Sequence, residues 1–203
     1  MKKSRRTLKD IKRYPEPEEL LDRIRKAKGW KYKYHSELML KRDRALVCLL
    51  YLAACRISEV LRLTKNQFDQ KEGLVVVSGI KLSKRKKKPV DPEKLKHYRP
   101  PKHLYREAWL PLTGRRKELT QYVLDYLAEL KPSEQLFTFD RHRGWQIVTG
   151  ILGEPPHWER AYGEDYLYGE WDHDIMAVSD YVKVDARTLQ EYLRKGYQKY
   201  KPA

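Results

Sequence analysis

The 203-residue chain has little of what membrane, secreted or disulfide-held proteins are built from. No stretch approaches the roughly 20 consecutive apolar residues that span a bilayer. Met1-Lys2-Lys3-Ser4-Arg5-Arg6 starts basic, but no apolar segment follows, so no secretory signal is expected. Cysteine occurs twice. Cys48 and Cys55 fall on one predicted helix face, about 10 Å apart by helical rise, which argues for packing rather than a bridge. Both are expected as buried thiols, and the expected compartment is the cytoplasm. The chain has no Gly-x-x-x-x-Gly-Lys-Ser/Thr phosphate loop, no Gly-x-Ser-x-Gly elbow and no Cys-x-x-Cys zinc pair. Asp172-His173-Asp174 is a poor metal site, because three adjacent residues do not converge on one ion from a helix. No metal, cofactor or membrane partner is expected.

What the chain has in excess is positive charge, +16 overall, with 35% of residues charged. Residues 81–106 hold eleven Lys or Arg against Asp91 and Glu93, whereas residues 151–192 hold ten Asp or Glu against Arg160, Lys183 and Arg187. The basic block suits a polyanion, because Lys and Arg release the counterions condensed on nucleic-acid phosphates. A heavily charged, heat-adapted surface is the alternative on composition alone.

Residues 1–12 read as a flexible basic N-terminus and 13–203 as one domain, large enough to bury a core. Pro15-Glu16-Pro17-Glu18-Glu19 is a helix start, with proline and acids at the positive dipole end. Leu20, Leu21, Ile24 and Ala27 form its apolar stripe, and Leu46, Leu49, Leu50 and Ala53 repeat the spacing in a second helix. Gly73-Leu74-Val75-Val76-Val77 reads as a strand ending at Ser78-Gly79, and Trp109-Leu110-Pro111-Leu112 as a short return strand. Between them, about 84–106, four prolines predict an irregular basic excursion of the hairpin. Further helices are predicted around Leu119–Leu130, around Trp145–Leu152 up to the break at Gly153-Glu154-Pro155-Pro156, from His157, and from Leu189 to a stop at Gly196. Leu136-Phe137-Thr138-Phe139 is a short apolar element. The fold class is mainly α (α+β), helices around a small antiparallel sheet, with no internal repeat.

Arg56 follows the second apolar helix in Cys55-Arg56-Ile57-Ser58-Glu59, and His157-Trp158-Glu159-Arg160 comes about a hundred residues later. An arginine fork stays charged at any usable pH and matches two phosphate oxygens. Arg56 and Arg160 together suit the non-bridging oxygens of a phosphodiester and the charge that builds up in its transition state. As an isolated residue, each is also explained by a surface ion pair. Glu59 suits either orienting Arg56 or pairing with Arg62. His157 shares a face with Arg160 at i, i+3, where it is either structural or a hydrogen-bond partner and proton acceptor. Lys81, at the end of the predicted strand, is the candidate general acid, with Lys84 the alternative. Lys84, Arg85, Lys86, Lys87 and Lys88 suit contacts to a DNA backbone. Tyr192, Tyr197 and Tyr200 lie late in the chain, and composition alone makes each an ordinary tyrosine.

As a set, these motifs resemble the catalytic domain of the tyrosine recombinases (phage integrases). Arg56-Ile57-Ser58-Glu59-Val60-Leu61 resembles the family's first arginine box, Val75-Val76-Val77-Ser78-Gly79-Ile80-Lys81 the strand ending in its lysine, and Trp109-Leu110-Pro111-Leu112 its return strand. The resemblance runs from about Thr7 to Tyr192 and implies the tyrosine-recombinase catalytic-domain fold. Tyr192 has the family's spacing from the His-x-x-Arg arginine, so the resemblance implies that it is the nucleophile. The family usually has histidine or tryptophan nine residues before its tyrosine; here that position is Lys183. Ala161 replaces a commonly polar residue after Arg160, and the hairpin carries an insertion of roughly twenty residues. The resemblance implies an archaeal- or virus-like member, expected to lack the N-terminal clamp domain that most of the family carries.

The resemblance implies a site-specific DNA strand transferase, independent of metal and ATP. Arg56, His157, Arg160 and Lys183 would activate the phosphate, Lys81 would protonate the leaving 5′ oxygen, and Tyr192 would form a 3′-phosphotyrosine. Double-stranded DNA is the implied partner, with self-association on DNA as a dimer or tetramer. A separate DNA-binding protein in place of the clamp is a further expectation, as is a nucleoid-associated product of a virus or plasmid. The alternatives are a catalytically inactive DNA-binding relative and a type IB topoisomerase-like relaxing enzyme.

Overall fold

The structure is a computed structural model that describes residues 14–27, 36–80 and 103–197, with the side chains of 79, 80, 103, 104, 191, 192 and 194–197 excepted. The expected basic N-terminus, Lys81, Lys84 to Lys88 and most of the 84–106 excursion lie outside the described residues.

Helix α1 (Pro17–Arg25) starts on Pro17, carries Glu18 and Glu19 in its first turn and buries Leu20, Leu21 and Ile24. Helix α2 (Glu37–Leu52) is capped by Ser36, whose hydroxyl accepts from the Met39 amide. Its second half, Ala45 to Leu52, is no more than 1% exposed at any residue. A helix apolar on every side must be surrounded. It is, by α4 (Lys117–Ala128), α5 (Arg141–Leu152) and α6 (Pro156–Glu170). Between α2 and α4 lie the single turn α3 (Ile57–Val60), a 3₁₀ turn (Lys65–Gln67) and a sheet of order β1 (Phe68–Asp69), β2 (Leu74–Ile80), β3 (His103–Trp109), antiparallel throughout. Helices α7 (Ile175–Val182) and α8 (Ala186–Tyr197) complete the described chain.

The structure corrects several boundaries. Helix α2 stops at Leu52, so Cys48 and Cys55 do not share a helix face. Ala54 takes a left-handed conformation (φ 45°), and the Cys55 amide bonds back to the Leu50 carbonyl at 3.3 Å, closing the helix. Both thiols are nevertheless buried and unbridged. Strand β2 runs past Ser78-Gly79 to Ile80, and β3 occupies 103–109 rather than 109–112. Pro111 has no amide for the ladder. The alternation of β3 is disguised, because Arg106 points inward opposite Val77 while Trp109 is 67% exposed. Leu136–Phe139 forms no strand. Leu136 and Phe137 are buried, and a lone bridge joins Gln135 to Thr64. Helix α8 continues through Gly196 to Tyr197.

The described apolar residues form two clusters. The larger surrounds α2. The smaller joins Ala54, Leu167, Val178, Val182, Leu189 and Leu193, and so ties α7 and α8 to the turn after α2. Gly163 makes this possible: a Cβ there would lie 2.1 Å from the Tyr51 carbonyl oxygen, so only glycine lets α6 cross the end of α2 this closely. The result is a mainly helical domain around a small antiparallel sheet, as the sequence predicts.

Candidate active site

Arg56 follows the end of α2, and α6, which carries His157 and Arg160, crosses that same end at Gly163. Arg56 is the N-cap of α3, with extended backbone (φ −74°, ψ 147°). Glu59, one turn on, accepts from the Arg56 amide at 2.8 Å through Oε2 and from its guanidinium Nη1 at 2.9 Å through Oε1. Of the two partners open to Glu59 in the sequence, the structure has Arg56. One carboxylate therefore fixes both the backbone and the fork, while the Arg56 side chain stays 53% exposed.

His157 and Arg160 occupy the first turn of α6, entered through Pro155 and Pro156. Arg160 donates Nε to Glu164 Oε1 at 2.7 Å. Its side chain is 12% exposed and that of Glu164 only 1%. Pairing through Nε leaves the two Nη groups without a hydrogen bond among the described residues. Burial pushes the Glu164 carboxyl upward, opposed by the charges of Arg160, Arg56 and Arg106. Burial likewise raises the Cys55 thiol to about 11, opposed by Arg106, Arg160 and Arg56, with Glu59 adding to the rise. Arg160 alone of the two arginines touches Glu164, while Arg56 is held by Glu59. His157 stands exposed beside them, its ring edge-on to buried Trp158. Partial desolvation lowers its pKa, leaving the imidazole neutral near pH 7 and able to accept a proton.

Lys183 lies on another side. It is the left-handed C-cap of α7 (φ 53°) and donates Nζ to Asp180 at 2.9 Å. With Arg106, Tyr105, Glu107, Trp171 and Tyr181 it lines an open cleft of about 630 Å³. No described contact joins Lys183 to Arg56, His157 or Arg160; the residue that reaches toward both regions is Arg106. Tyr192 is carried by α8, which Leu189 and Leu193 anchor in the smaller apolar cluster, and its side chain lies outside the described part. Lys81, Lys84 and Arg85 to Lys88 likewise lie outside the described residues.

Sequence reasoning missed Arg106, Glu164 and Tyr181. Arg106 was hidden inside a basic run, although Leu104-x-Arg106-x-Ala108 has strand alternation. Glu164 stood at i+4 from Arg160, a helical pairing distance. Glu159, inside the His-x-x-Arg motif, is fully buried with neither carboxylate oxygen hydrogen-bonded among the described residues. Burial, and secondarily Glu154, raises its pKa well above the usual carboxyl range.

No family model matches the chain, and no curated protein matches it by sequence. Solved structures do. The XerH site-specific recombinase bound to palindromic difH substrate, in a post-cleavage complex, superposes with a TM-score of 0.55 at 18% identity, over 88% of this chain and 48% of that one. XerH bound to difH substrate in a pre-cleavage complex gives 0.55 at 19%, over 89% and 51%. The chain therefore spans about half the length of the recombinase chains it matches. At such identities the likeness establishes the architecture alone: the chain has the tyrosine-recombinase catalytic-domain fold.

Proposed function

We propose that this chain cleaves and rejoins DNA as a site-specific recombinase, through a 3′-phosphotyrosine intermediate. The observation that carries the reading is a fold similar to that of a site-specific recombinase, in which Arg56 and Arg160 each present a guanidinium held by a carboxylate, Glu59 and Glu164. Two guanidinium forks bind the non-bridging oxygens of one phosphodiester and stabilise the charge gained as phosphorus becomes five-coordinate. The Tyr192 phenol attacks phosphorus, the bond to the 5′ oxygen breaks, and Lys81 gives that oxygen a proton. His157 accepts the phenolic proton. A 5′ hydroxyl then attacks the phosphotyrosine and gives its proton to Lys81, while His157 returns a proton to the departing Tyr192 oxygen, reforming the phosphodiester. The reaction needs no ATP, because the covalent bond retains the backbone's energy. It needs no metal ion, because the arginines supply the positive charge. Lys84, Arg85, Lys86, Lys87 and Lys88 grip the DNA backbone, and protomers associate on DNA to exchange strands.

A second reading, binding DNA without cutting it, is favoured by Lys183, whose ammonium is held by Asp180 rather than directed at Arg56 or Arg160. The test uses duplexes selected from a random pool by binding to the full chain, then nicked at successive positions along one strand. Cleavage beside a nick releases a short fragment and traps the protein on DNA. A denaturant-resistant adduct is expected from the recombinase. Salt-sensitive binding with no adduct at any nick position would establish the second reading.

A further inference from the structure

Arg106 is an arginine on the inward face of β3, 9% exposed, and the mechanism above does not use it. Its Nη2 donates to the carbonyls of Ala53 and Ala54, the latter at 3.3 Å, and to Cys55 Sγ at 3.1 Å. Its Nη1 is buried with no hydrogen bond among the described residues. The guanidinium carbon lies 5.6 Å from the centroid of the Tyr181 ring on α7, and the Tyr181 hydroxyl accepts from the Trp109 amide at 2.6 Å. One side chain therefore touches both the turn that delivers Arg56 and the helix that ends at Lys183.

That turn needs holding. Ala54 sits at φ 45°, a conformation an alanine keeps only when its surroundings impose it. Ala53 and Cys55 pack in the larger apolar cluster and Ala54 in the smaller, so the turn is the joint between the two. A buried guanidinium bonded only to carbonyls and a thiol, with no carboxylate facing it among the described contacts, is a poor way to gain stability. It is a good way to fix several carbonyls in place, because the planar fork is rigid.

We propose that Arg106 is a positioning residue for phosphate activation: it pins the Ala53–Cys55 turn so that Arg56 meets the phosphate, and through Tyr181 it sets the α7 segment bearing Lys183 against the same turn. The proposal rests on the reading of Arg56 and Arg160 as phosphate ligands. Arg106 also adds positive potential there, since the Glu164 carboxyl and the Cys55 thiol both feel it alongside Arg56 and Arg160. A lysine keeps the charge and reaches one carbonyl, but has neither the fork nor a flat face for Tyr181.

The test compares the full chain with Arg106→Gln and Arg106→Lys. Calorimetry measures affinity for inorganic vanadate, which adopts the five-coordinate geometry of the transition state. Trapping on the nicked duplexes is followed from pH 6 to 9, and melting temperature is recorded beside both. Arg106→Gln is expected to lose about tenfold in vanadate affinity and about 100-fold in trapping rate, as for a displaced active-site group. Arg106→Lys is expected to recover part of both. Wild-type vanadate affinity in both variants overturns the proposal, whatever trapping shows. If Arg106→Gln does not fold, Arg106→Lys decides: a loss of several-fold at an unchanged melting temperature supports the positioning role, and wild-type affinity refutes it. Vanadate binding that depends on Arg106, in a wild-type chain that never traps DNA, would sink the recombinase reading and leave this inference standing. A wild-type chain that neither binds vanadate nor traps DNA overturns both.

Discussion

The Arg160 guanidinium meets Glu164 at 2.7 Å through Nε, from a site where the carboxylate is 1% exposed. The pairing restrains the fork one helical turn away on the same helix, and it uses the edge of the guanidinium rather than its paired tips. Burial raises the Glu164 pKa, and the arginines around it oppose that rise. Glu164→Gln retains an acceptor for Nε and removes the negative charge. It is expected to tighten binding of anionic DNA while loosening Arg160, which lowers the trapping rate by roughly tenfold. Parallel measurements of binding and trapping check the split; a variant that traps faster would contradict it.

Arg56→Ala and Arg160→Ala are each expected to slow trapping by about 10²–10³-fold, the usual cost of losing a preorganised donor to a developing negative charge. Each should reduce the salt dependence of binding by about one ion. Rates and salt slopes measured together distinguish a phosphate ligand from a surface ion pair, for which the trapping rate would not change.

Glu159 gives a pH dependence to the fold itself. Its pKa is raised by burial, so folding favours its neutral form. Such a group supports stability below the ordinary carboxyl value, and that support is lost as pH rises through its higher folded-state value. Glu159→Gln is expected to raise the melting temperature at pH 8, by about 2–4 °C for each kcal/mol recovered, and to flatten its decline from pH 5 to pH 8. Thermal melts across that range decide; equal slopes in the two proteins would contradict the assignment.

Gly163→Ala tests the crossing of α6 over the end of α2. The added methyl would lie 2.1 Å from the Tyr51 carbonyl oxygen, so α6 must move. A destabilisation of about 1–3 kcal/mol is expected, as for other overpacked cores, with trapping reduced because Arg160 moves with its helix. Gly169, where a Cβ meets nothing within 4 Å, supplies the control: Gly169→Ala should leave trapping unchanged and raise stability by about 0.5–1 kcal/mol through helix propensity.

Much of this architecture was legible in the sequence, and the exceptions have physical causes. The apolar stripes of α1 and α2, the caps and breaks at Pro17 and Gly153, and the valines of β2 all follow local rules. The return strand reads too late in the sequence because an inward arginine and an outward tryptophan invert the usual alternation of β3, and Arg106 faces inward where the distant Ala53 and Ala54 carbonyls receive it. The end of α2 is not legible because nothing local in Ala53-Ala54-Cys55 signals a stop; tertiary packing imposes it. The arginine motifs are readable as separate segments, whereas the close passage of the helix bearing Arg160 over the end of α2 depends on Gly163, whose role shows only once two helices cross.

The most direct measurement is covalent trapping by the wild-type chain, Tyr192→Phe and Tyr197→Phe on the same set of nicked, binding-selected duplexes. Adduct formation by the wild type and by Tyr197→Phe, with none from Tyr192→Phe and binding unchanged, is the expected result. An adduct that persists in Tyr192→Phe and disappears in Tyr197→Phe would contradict the assignment of the nucleophile, and the absence of any adduct from the wild type would contradict the proposed reaction.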